Sequence, residues 1–224
     1  GTNGEMVLGS RGGLMACAAA AGPALEGANI SCGMRGIPGA IDHVWIENGA
    51  LCHSVIGGEG AAGICGSGLV DAVAAALELG LLDSRGKILE GEAIFLTDRV
   101  KLTQEDIRQV QLAKGAIAAG IELMAARMGK TLSDIDEVLL AGAFGAAMDP
   151  DSACRMGLLP RELAGKVTAI GNAAGEGAKL CALNQEEFLY SQLLARETEF
   201  LELASLPQFQ DCYVDALEFS EEEE

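Results

Sequence analysis

At 224 residues, the chain is long enough to bury roughly 70 to 75% of its unfolded surface in one large or two small domains. Half of it is hydrophobic, only 4% is aromatic and 30 residues are glycine, which favours a layered α/β protein with a core of small aliphatic side chains. The formal charge of -18 would repel a phosphodiester backbone, so nucleic acid is excluded as an expected partner.

Signals for a membrane, for secretion and for a metal site are weak. No run of about 18 apolar residues occurs, so we expect no membrane partner and a cytoplasmic location. The seven cysteines contain no C-x-x-C pair and are typical of reduced thiols. The only histidines, His43 and His53, are too few for a histidine-rich site, so we predict no side-chain metal ligands.

The first predicted elements are short strands and a hairpin. Small and apolar residues predict strands near residues 6–8 and 16–21. Weak alternation over residues 40–58 surrounds Asn48-Gly49, a pair typical of a two-residue hairpin turn.

A glycine-rich turn precedes the first predicted helix, over residues 69–79. Gly80 is placed as its C-terminal stop, and we predict Ser67 as its N-cap, although a second role beside a nucleotide cleft stays open. Cys65 in this turn is not expected to bind an iron–sulfur cluster, because a cluster needs four thiolates within reach.

A long helix is predicted from Thr103 to about Met128. Thr103 and Asp106 have the spacing of a capping box. Lys114 lies within roughly 40° of the centre of the apolar stripe on this helix, with Gln111 at its edge. A charge in that position requires a ligand, a paired carboxylate or a route to solvent.

The last third of the chain is predicted to alternate strands with helices. The order is a buried strand at 138–141, a helix begun by Asp149-Pro150 and ended by Gly157, a strand at 166–170, a helix from Gly171-Asn172 to Leu183, and a last helix over 185–204.

Three glycine-rich turns stand out, at residues 1–5, 141–145 and 171–175. Two of them directly follow a predicted strand, where glycine lets a nucleotide approach the backbone and exposed N–H groups can hold phosphate. Each turn alone is weak evidence for a ligand site, because glycines also occur wherever a strand turns sharply into a helix. Their order, with a long helix between the first two, matches the second half of the actin/Hsp70 ATPase fold.

Six segments spread over nearly the whole chain make this likeness specific. They are GTNGE, AAGPALEGANISCGMRG, GICGSGLVDA, LTQEDIRQVQLAKGAIAAGIEL, LAGAFGAAMDP and IGNAAGEGAKL. They resemble the C-terminal ASKHA (actin/Hsp70/hexokinase-like) ATPase domain of the reductive activators of corrinoid iron–sulfur and methyltransferase proteins. The resemblance implies a ribonuclease H-like, actin-like lobe with a mixed central sheet flanked by helices. Residues 1–224 would form the second lobe, with a small α+β subdomain inserted at about 35–130.

The resemblance also implies an ATP site and assigns residues to it. Residues 1–5 would form the second phosphate loop, 142–145 the adenosine loop, and the lysine of the long helix would reach the adenosine pocket. The expected ATP-binding residues are Gly1, Thr2, Asn3, Gly4, Gln111, Lys114, Gly142, Ala143, Gly145 and Asn172. The resemblance also implies a catalytic Asp two residues before the first glycine; this residue would precede Gly1, so no catalytic residue is assigned.

The same resemblance implies the function of a longer polypeptide, because the chain opens inside a glycine-rich motif. We expect ATP and Mg²⁺ to drive closure of two lobes, coupled to electron transfer from an upstream [2Fe-2S] ferredoxin domain to Co(II) of a partner corrinoid protein. A homodimer is expected. Two alternatives stay open: a small-molecule kinase of the acetate or sugar type on the same superfold, and a non-catalytic docking or dimerisation module.

Overall fold

The computed structural model describes residues 3–58 and 60–219 and shows a mixed α/β fold. Its strands are β1 (Gly4–Ser10), β2 (Gly13–Ala19), β3 (Ala40–Glu47), β4 (Ala50–Val55), β5 (Gly63–Ile64), β6 (Ala93–Phe95), β7 (Lys101–Thr103), β8 (Val138–Ala141), β9 (Val167–Gly171) and β10 (Glu199–Phe200). Its α-helices are α1 (Gly66–Glu78), α2 (Gln104–Arg127), α3 (Gly142–Ala147), α4 (Pro150–Arg155), α5 (Ala173–Leu183), α6 (Gln185–Glu197) and α7 (Phe209–Asp215). The α/β class expected from the sequence is confirmed.

The strands are divided among four small sheets within the described part of the chain. β1 and β2 are antiparallel, and β10 joins β2 in parallel. β3 is antiparallel to β4 and parallel to β5, while β6 and β7 form an antiparallel pair. β8 and β9 are parallel neighbours. The mixed strand directions agree with the expected fold class, although the strands do not form one continuous sheet.

The hairpin of β3 and β4 turns at the predicted residues. Asn48 and Gly49 have φ values of 52° and 77°, the left-handed conformation that both central residues of a type I′ turn require. Glu47 pairs with Ala50 directly across this turn. The local sequence alone therefore specifies the hairpin.

Asp106 fixes both the start of α2 and the loop that precedes β3. Its carboxylate accepts the Thr103 backbone N–H (2.8 Å) and hydroxyl (2.8 Å), which confirms the predicted capping box. It also accepts the backbone N–H (2.7 Å) and hydroxyl (2.6 Å) of Ser31. Burial alone would raise the pKa of Asp106, but these four donors outweigh burial and hold the pKa below its ordinary value.

Two hydrophobic clusters hold the fold together. The larger surrounds α1 and the first half of α2, and also includes Met148 and Leu158 from the segments on either side of α4. The smaller joins β2 to the second half of α2 and to Leu201 and Leu203. α2 therefore connects the two clusters.

Glycine also permits one close backbone crossing in the fold. A Cβ atom added to Gly33 would lie only 2.0 Å from the carbonyl oxygen of Gly27.

The N-cap predicted for the first helix is wrong. α1 begins at Gly66, one turn earlier than expected, and its N-cap position is Cys65, which makes no side-chain capping bond. The Ser67 hydroxyl instead donates to the Asp42 carbonyl of β3 (2.8 Å). Ser67 therefore ties α1 to the neighbouring strand, a tertiary contact that local sequence cannot reveal.

Two further predictions near the C-terminus are wrong. β8 was expected to be buried, but Leu139 is 54% exposed and the burial of β8 alternates along the strand, so one face of it is uncovered among the described residues. The last predicted helix ends at Glu197 rather than near residue 204. Glu199 and Phe200 leave the helix to pair with β2 as β10, and the short helix α7 follows.

Candidate functional site

Two of the three predicted glycine turns lie together at one edge of a sheet. β8 and β9 run in parallel, with Ala141 opposite Gly171 at their carboxyl ends. The chain enters α3 directly after Ala141, and it enters α5 two residues after Gly171. In open α/β sheets, ligands bind outside the carboxyl ends of the strands, so this edge is the candidate site.

Gly142 combines backbone strain with open space. Its φ of 92° is a conformation that L side chains rarely adopt. No heavy atom lies within 4 Å of the position that a Cβ atom would occupy there. The φ angle alone explains a glycine at this position, and the open space leaves room for a ligand to approach the backbone, so the place of Gly142 and Ala143 in an adenosine loop stays a prediction.

The other glycines of these turns have structural roles. A Cβ atom on Gly145 would lie 3.2 Å from Cβ of Leu140, so Gly145 permits α3 to pack closely on β8. Asn172 is the N-cap of α5, and its Oδ1 atom accepts the Gly175 backbone N–H (3.0 Å). The contact of Gly145 and Asn172 with ATP stays a prediction.

The predicted second phosphate loop is only partly described. Gly1 and Thr2 lie outside the described residues. Asn3 is exposed in a bend, and Gly4 begins β1 opposite Ala19 of β2. A Cβ atom on Gly4 would lie 3.0 Å from the Ile117 side chain, so this glycine lets β1 approach α2. The phosphate contacts of this loop stay a prediction.

Lys114 is buried in α2, as its position on the apolar stripe predicts. Its side chain is 2% exposed and donates through Nζ to the carbonyl oxygen of Glu218. The ammonium also lies 5.3 Å from the centroid of the Phe219 ring, a cation–π distance. Burial lowers the pKa of Lys114 to about 8, against the opposing effect of Glu218 and Glu122. The observed partner of this charge is thus the segment 217–219, through a main-chain carbonyl and an aromatic ring.

Gln111 holds the same segment one turn earlier on α2. Its Nε2 atom donates to the carbonyl oxygens of Arg85 (3.1 Å) and Leu217 (3.0 Å). The Phe219 backbone N–H completes the contact by donating to Ser84 O (2.7 Å). The amide nitrogen of Gln111 and the ammonium of Lys114 are therefore engaged within the chain, and the contact of both residues with adenosine stays a prediction.

A cavity that the sequence did not indicate lies between β3, α1 and the segment from α3 to α4. It has a volume of about 490 Å³ and is lined by His43, Val44, Trp45, Asp71, Ala146, Ala147, Met148 and Asp149. His43 Nδ1 lies 3.1 Å from Oδ2 of the buried Asp71, which also accepts the Val44 backbone N–H (3.3 Å). This pairing joins residues 28 positions apart, a separation that has no sequence signature.

Neither a cluster of potential metal ligands nor a candidate membrane-spanning helix occurs among the residues that the structure describes. Over residues 3–58 and 60–219, no group of three or more His, Cys, Asp or Glu side chains is arranged to hold a metal ion. Within the same ranges, no helix combines the length and apolar character needed to cross a bilayer.

Parallel strands that end in glycine turns, a long capped helix and mixed sheets define an ASKHA-type domain. The chain belongs to the family described as the C-terminal domain of RACo, the ASKHA domain, whose sequence profile matches residues 1–224. It resembles a solved reductive activator for corrinoid, iron-sulfur protein, with a TM-score of 0.87 and 36% identity over 98% of this chain and 38% of that one.

Two curated relatives have a related description. The chain is 39% identical to the corrinoid activation enzyme RamQ of Eubacterium limosum, over 96% of this chain and 41% of that protein. It is 32% identical to the [Co(II) methylated amine-specific corrinoid protein] reductase of Methanosarcina barkeri, over 78% of this chain and 36% of that protein. The chain thus spans about two fifths of the length of the curated relatives it matches.

Proposed function

We propose that this domain forms one wall of the ATP site of a reductive activator of corrinoid proteins. The observation that supports this most directly is the shared edge of β8 and β9, where two glycine turns lead into α3 and α5. The family membership supports a role in corrinoid activation, since the relatives are described as corrinoid activators and reductases.

The residues at this edge fit a nucleotide. Open space in front of Gly142 lets a planar ring or a ribose approach the backbone, where a side chain would block it. Mg²⁺ would bind chiefly through the phosphates and water. ATP supplies the free energy difference between open and closed lobes, while these turns hold and orient the nucleoside.

The described residues do not fit the iron–sulfur part of the activity. The seven cysteines are all free, and no three of the described metal-ligating side chains converge. A [2Fe-2S] cluster needs four such ligands, so it would belong to a separate ferredoxin domain. We propose that the electron passes from that domain to Co(II) of the partner corrinoid protein, in the cytoplasm and in a homodimeric activator.

The test uses a chimera in which this chain replaces the matching part of the corrinoid activation enzyme RamQ. We expect ATP-dependent reduction of a Co(II) corrinoid protein, measured by the corrinoid absorbance spectrum. The variant Gly142→Leu should lose most of this activity, because its side chain fills the open space at the edge.

Gly165→Leu is the matched control. Gly165 also has a positive φ, 73°, and open space around its Cβ position, but it precedes β9 at the opposite end of the strand. The two variants therefore carry a similar backbone strain. Equal loss in both, or corrinoid reduction that does not depend on ATP, would contradict the proposal. Phosphoryl transfer from ATP to acetate or a sugar would instead identify a kinase.

A further inference from the structure

The cavity beside His43 has an unusual set of polar groups. Of the side chains that line it, His43, Asp71 and Asp149 are polar or charged, Trp45 is 45% exposed, and neither lysine nor arginine contributes. It is an open depression rather than an enclosed pocket, with a volume of about 490 Å³. It is formed by β3, α1 and the α3–α4 segment, and none of the predicted ATP-binding residues lines it.

Asp71 is the first reason to expect a cationic ligand. Its side chain is only 4% exposed, and its Oδ1 atom has no hydrogen-bond partner within the described chain. A buried carboxylate whose charge is not fully compensated is costly. Desolvation raises the pKa of Asp71, although the nearby Ser152 hydroxyl, whose hydrogen is donated to Asp149, the His43 ring and the Val44 backbone N–H oppose the shift. Positive charge in the adjacent cavity would stabilise the ionised carboxylate.

His43 is the second polar group of the cavity, and Asp71 orients its ring. An ionised carboxylate only accepts hydrogen bonds, so Nδ1 of His43 donates to Asp71 (3.1 Å). Nε2 is the ring nitrogen left for a ligand, on a side chain that is 49% exposed. A buried carboxylate thus holds a half-exposed imidazole in place beside the cavity.

Asp149 and Trp45 complete the site from opposite elements. Asp149 caps α4 by accepting the Asp151 backbone N–H (3.2 Å) and the Ser152 hydroxyl (3.0 Å), which leaves further lone pairs on an exposed carboxylate. Trp45 contributes an exposed indole, the aromatic ring on which cations stack best. The side chains that line the cavity therefore offer acceptors, negative charge and an aromatic ring.

We propose that this cavity binds a guanidinium group. A guanidinium is planar and always charged, it carries five N–H donors and it stacks on aromatic rings, so it suits a cavity that offers carboxylates and an indole. Its source is either a free small molecule or an arginine side chain of a partner protein. The strongly acidic chain, with a formal charge of -18, would favour the approach of either.

The test uses the fluorescence of Trp45, which is the only tryptophan of the chain and therefore reports on this cavity alone. Ethylguanidinium is titrated against N-ethylurea, its neutral counterpart. A second pair, acetyl-Gly-Arg-Gly-amide and the same peptide with citrulline, tests an arginine source. We expect saturable quenching by a guanidinium probe with a dissociation constant of about 1 mM or lower, and none by its neutral counterpart.

The outcomes separate the two sources. Binding of both cations supports an arginine of a partner protein, because the flanking peptide is tolerated. Binding of ethylguanidinium alone supports a small molecule. If neither cation saturates below roughly 10 mM, or if the neutral probes bind equally well, the proposal is overturned.

Two variants tie the signal to the cavity. Asp149→Asn keeps an N-cap side chain for α4 but removes the charge, so binding should weaken about tenfold while the fold is retained. Asp71→Asn should weaken binding at least as much, with folding checked by circular dichroism. Glu47→Gln, on the exposed end of β3 and outside the cavity, is the control and should bind as the unchanged chain does. Unaltered affinity in Asp149→Asn would refute the assignment.

Discussion

Replacing Asp106 by Asn should destabilise the protein strongly while leaving its shape unchanged. The carboxylate is 2% exposed and accepts four hydrogen bonds, two from Thr103 and two from Ser31. The Asn side chain has the same size, but an NH₂ group replaces one of the two carboxylate oxygens and faces a donor rather than an acceptor. At least one buried donor is then unsatisfied and a charge-assisted bond is lost, which together cost about 3 kcal/mol.

Urea denaturation measures this cost. For a chain of this length we expect a slope of about 2.5 kcal/mol/M, so the midpoint should fall by about 1.2 M. The matched control is Asp134→Asn. Asp134 makes the same capping box with Thr131, but on the surface, so the same substitution should shift the midpoint less.

The effect of Asp106→Asn should also depend on pH. The folded-state pKa of Asp106 lies below its ordinary value, so its contribution is present above the unfolded pKa of about 3.9 and is lost as the pH falls through the folded pKa. The difference between the unchanged chain and the variant should therefore be constant near pH 7 and shrink below about pH 4. Equal midpoints for Asp106→Asn and the unchanged chain at pH 7 would refute this account of the loop anchor.

Two other substitutions test the packing around α2 and the glycine crossing. The folded-state pKa of Lys114 is lowered to about 8 from 10.5, so between these two pH values the unfolded chain binds one more proton than the folded chain. Stability should therefore rise with pH across that window in the unchanged chain but not in Lys114→Met. Thermal melts from pH 7 to 10.5 measure this difference, and identical pH profiles would contradict the burial of this lysine. Gly33→Ala should lower the free energy of unfolding by more than about 2 kcal/mol, because the added Cβ atom would overlap the Gly27 carbonyl. Gly60→Ala is the control: the space around Gly60 is open, so stability should hardly change. Equal chemical denaturation midpoints for the two variants would show that the crossing is not close.

Local signals in the sequence were sufficient where the residues concerned lie close together. The hairpin turn at Asn48-Gly49, the capping box of α2 and the Asp149-Pro150 start of α4 are all confirmed. Each depends on residues within a few positions of one another, so the amino-acid types fix the local backbone.

Predictions failed where a distant part of the chain decided the outcome. Ser67 was expected to cap α1 but donates to a carbonyl of β3, and the last helix stops where Glu199 and Phe200 pair with β2. These partners come from distant segments that only the folded chain brings together. The position of Lys114 was predicted from periodicity, yet its partner, the segment 217–219, could not be identified because its main-chain carbonyl carries no residue signature.

The candidate site was predictable in part for the same reason. Glycine turns after strands 138–141 and 166–170 could be read directly, and the parallel pairing of β8 and β9 brings two of them to one edge. The cavity of His43 and Asp71 has no such pattern. It depends on the docking of α1 and the α3–α4 segment against β3, which only tertiary packing specifies.

Photolabelling with 8-azido-ATP tests the central claim most directly, because it reports where the nucleotide lies. The chimera of this chain with RamQ is irradiated with the probe and Mg²⁺, and the modified peptides are identified by mass spectrometry, with excess ATP as the competitor. We expect ATP-protected labelling in the segment 141–148, at the carboxyl end of β8, and its loss in Gly142→Leu but not in Gly165→Leu. ATP-protected labelling confined to segments away from the β8–β9 edge would contradict the account.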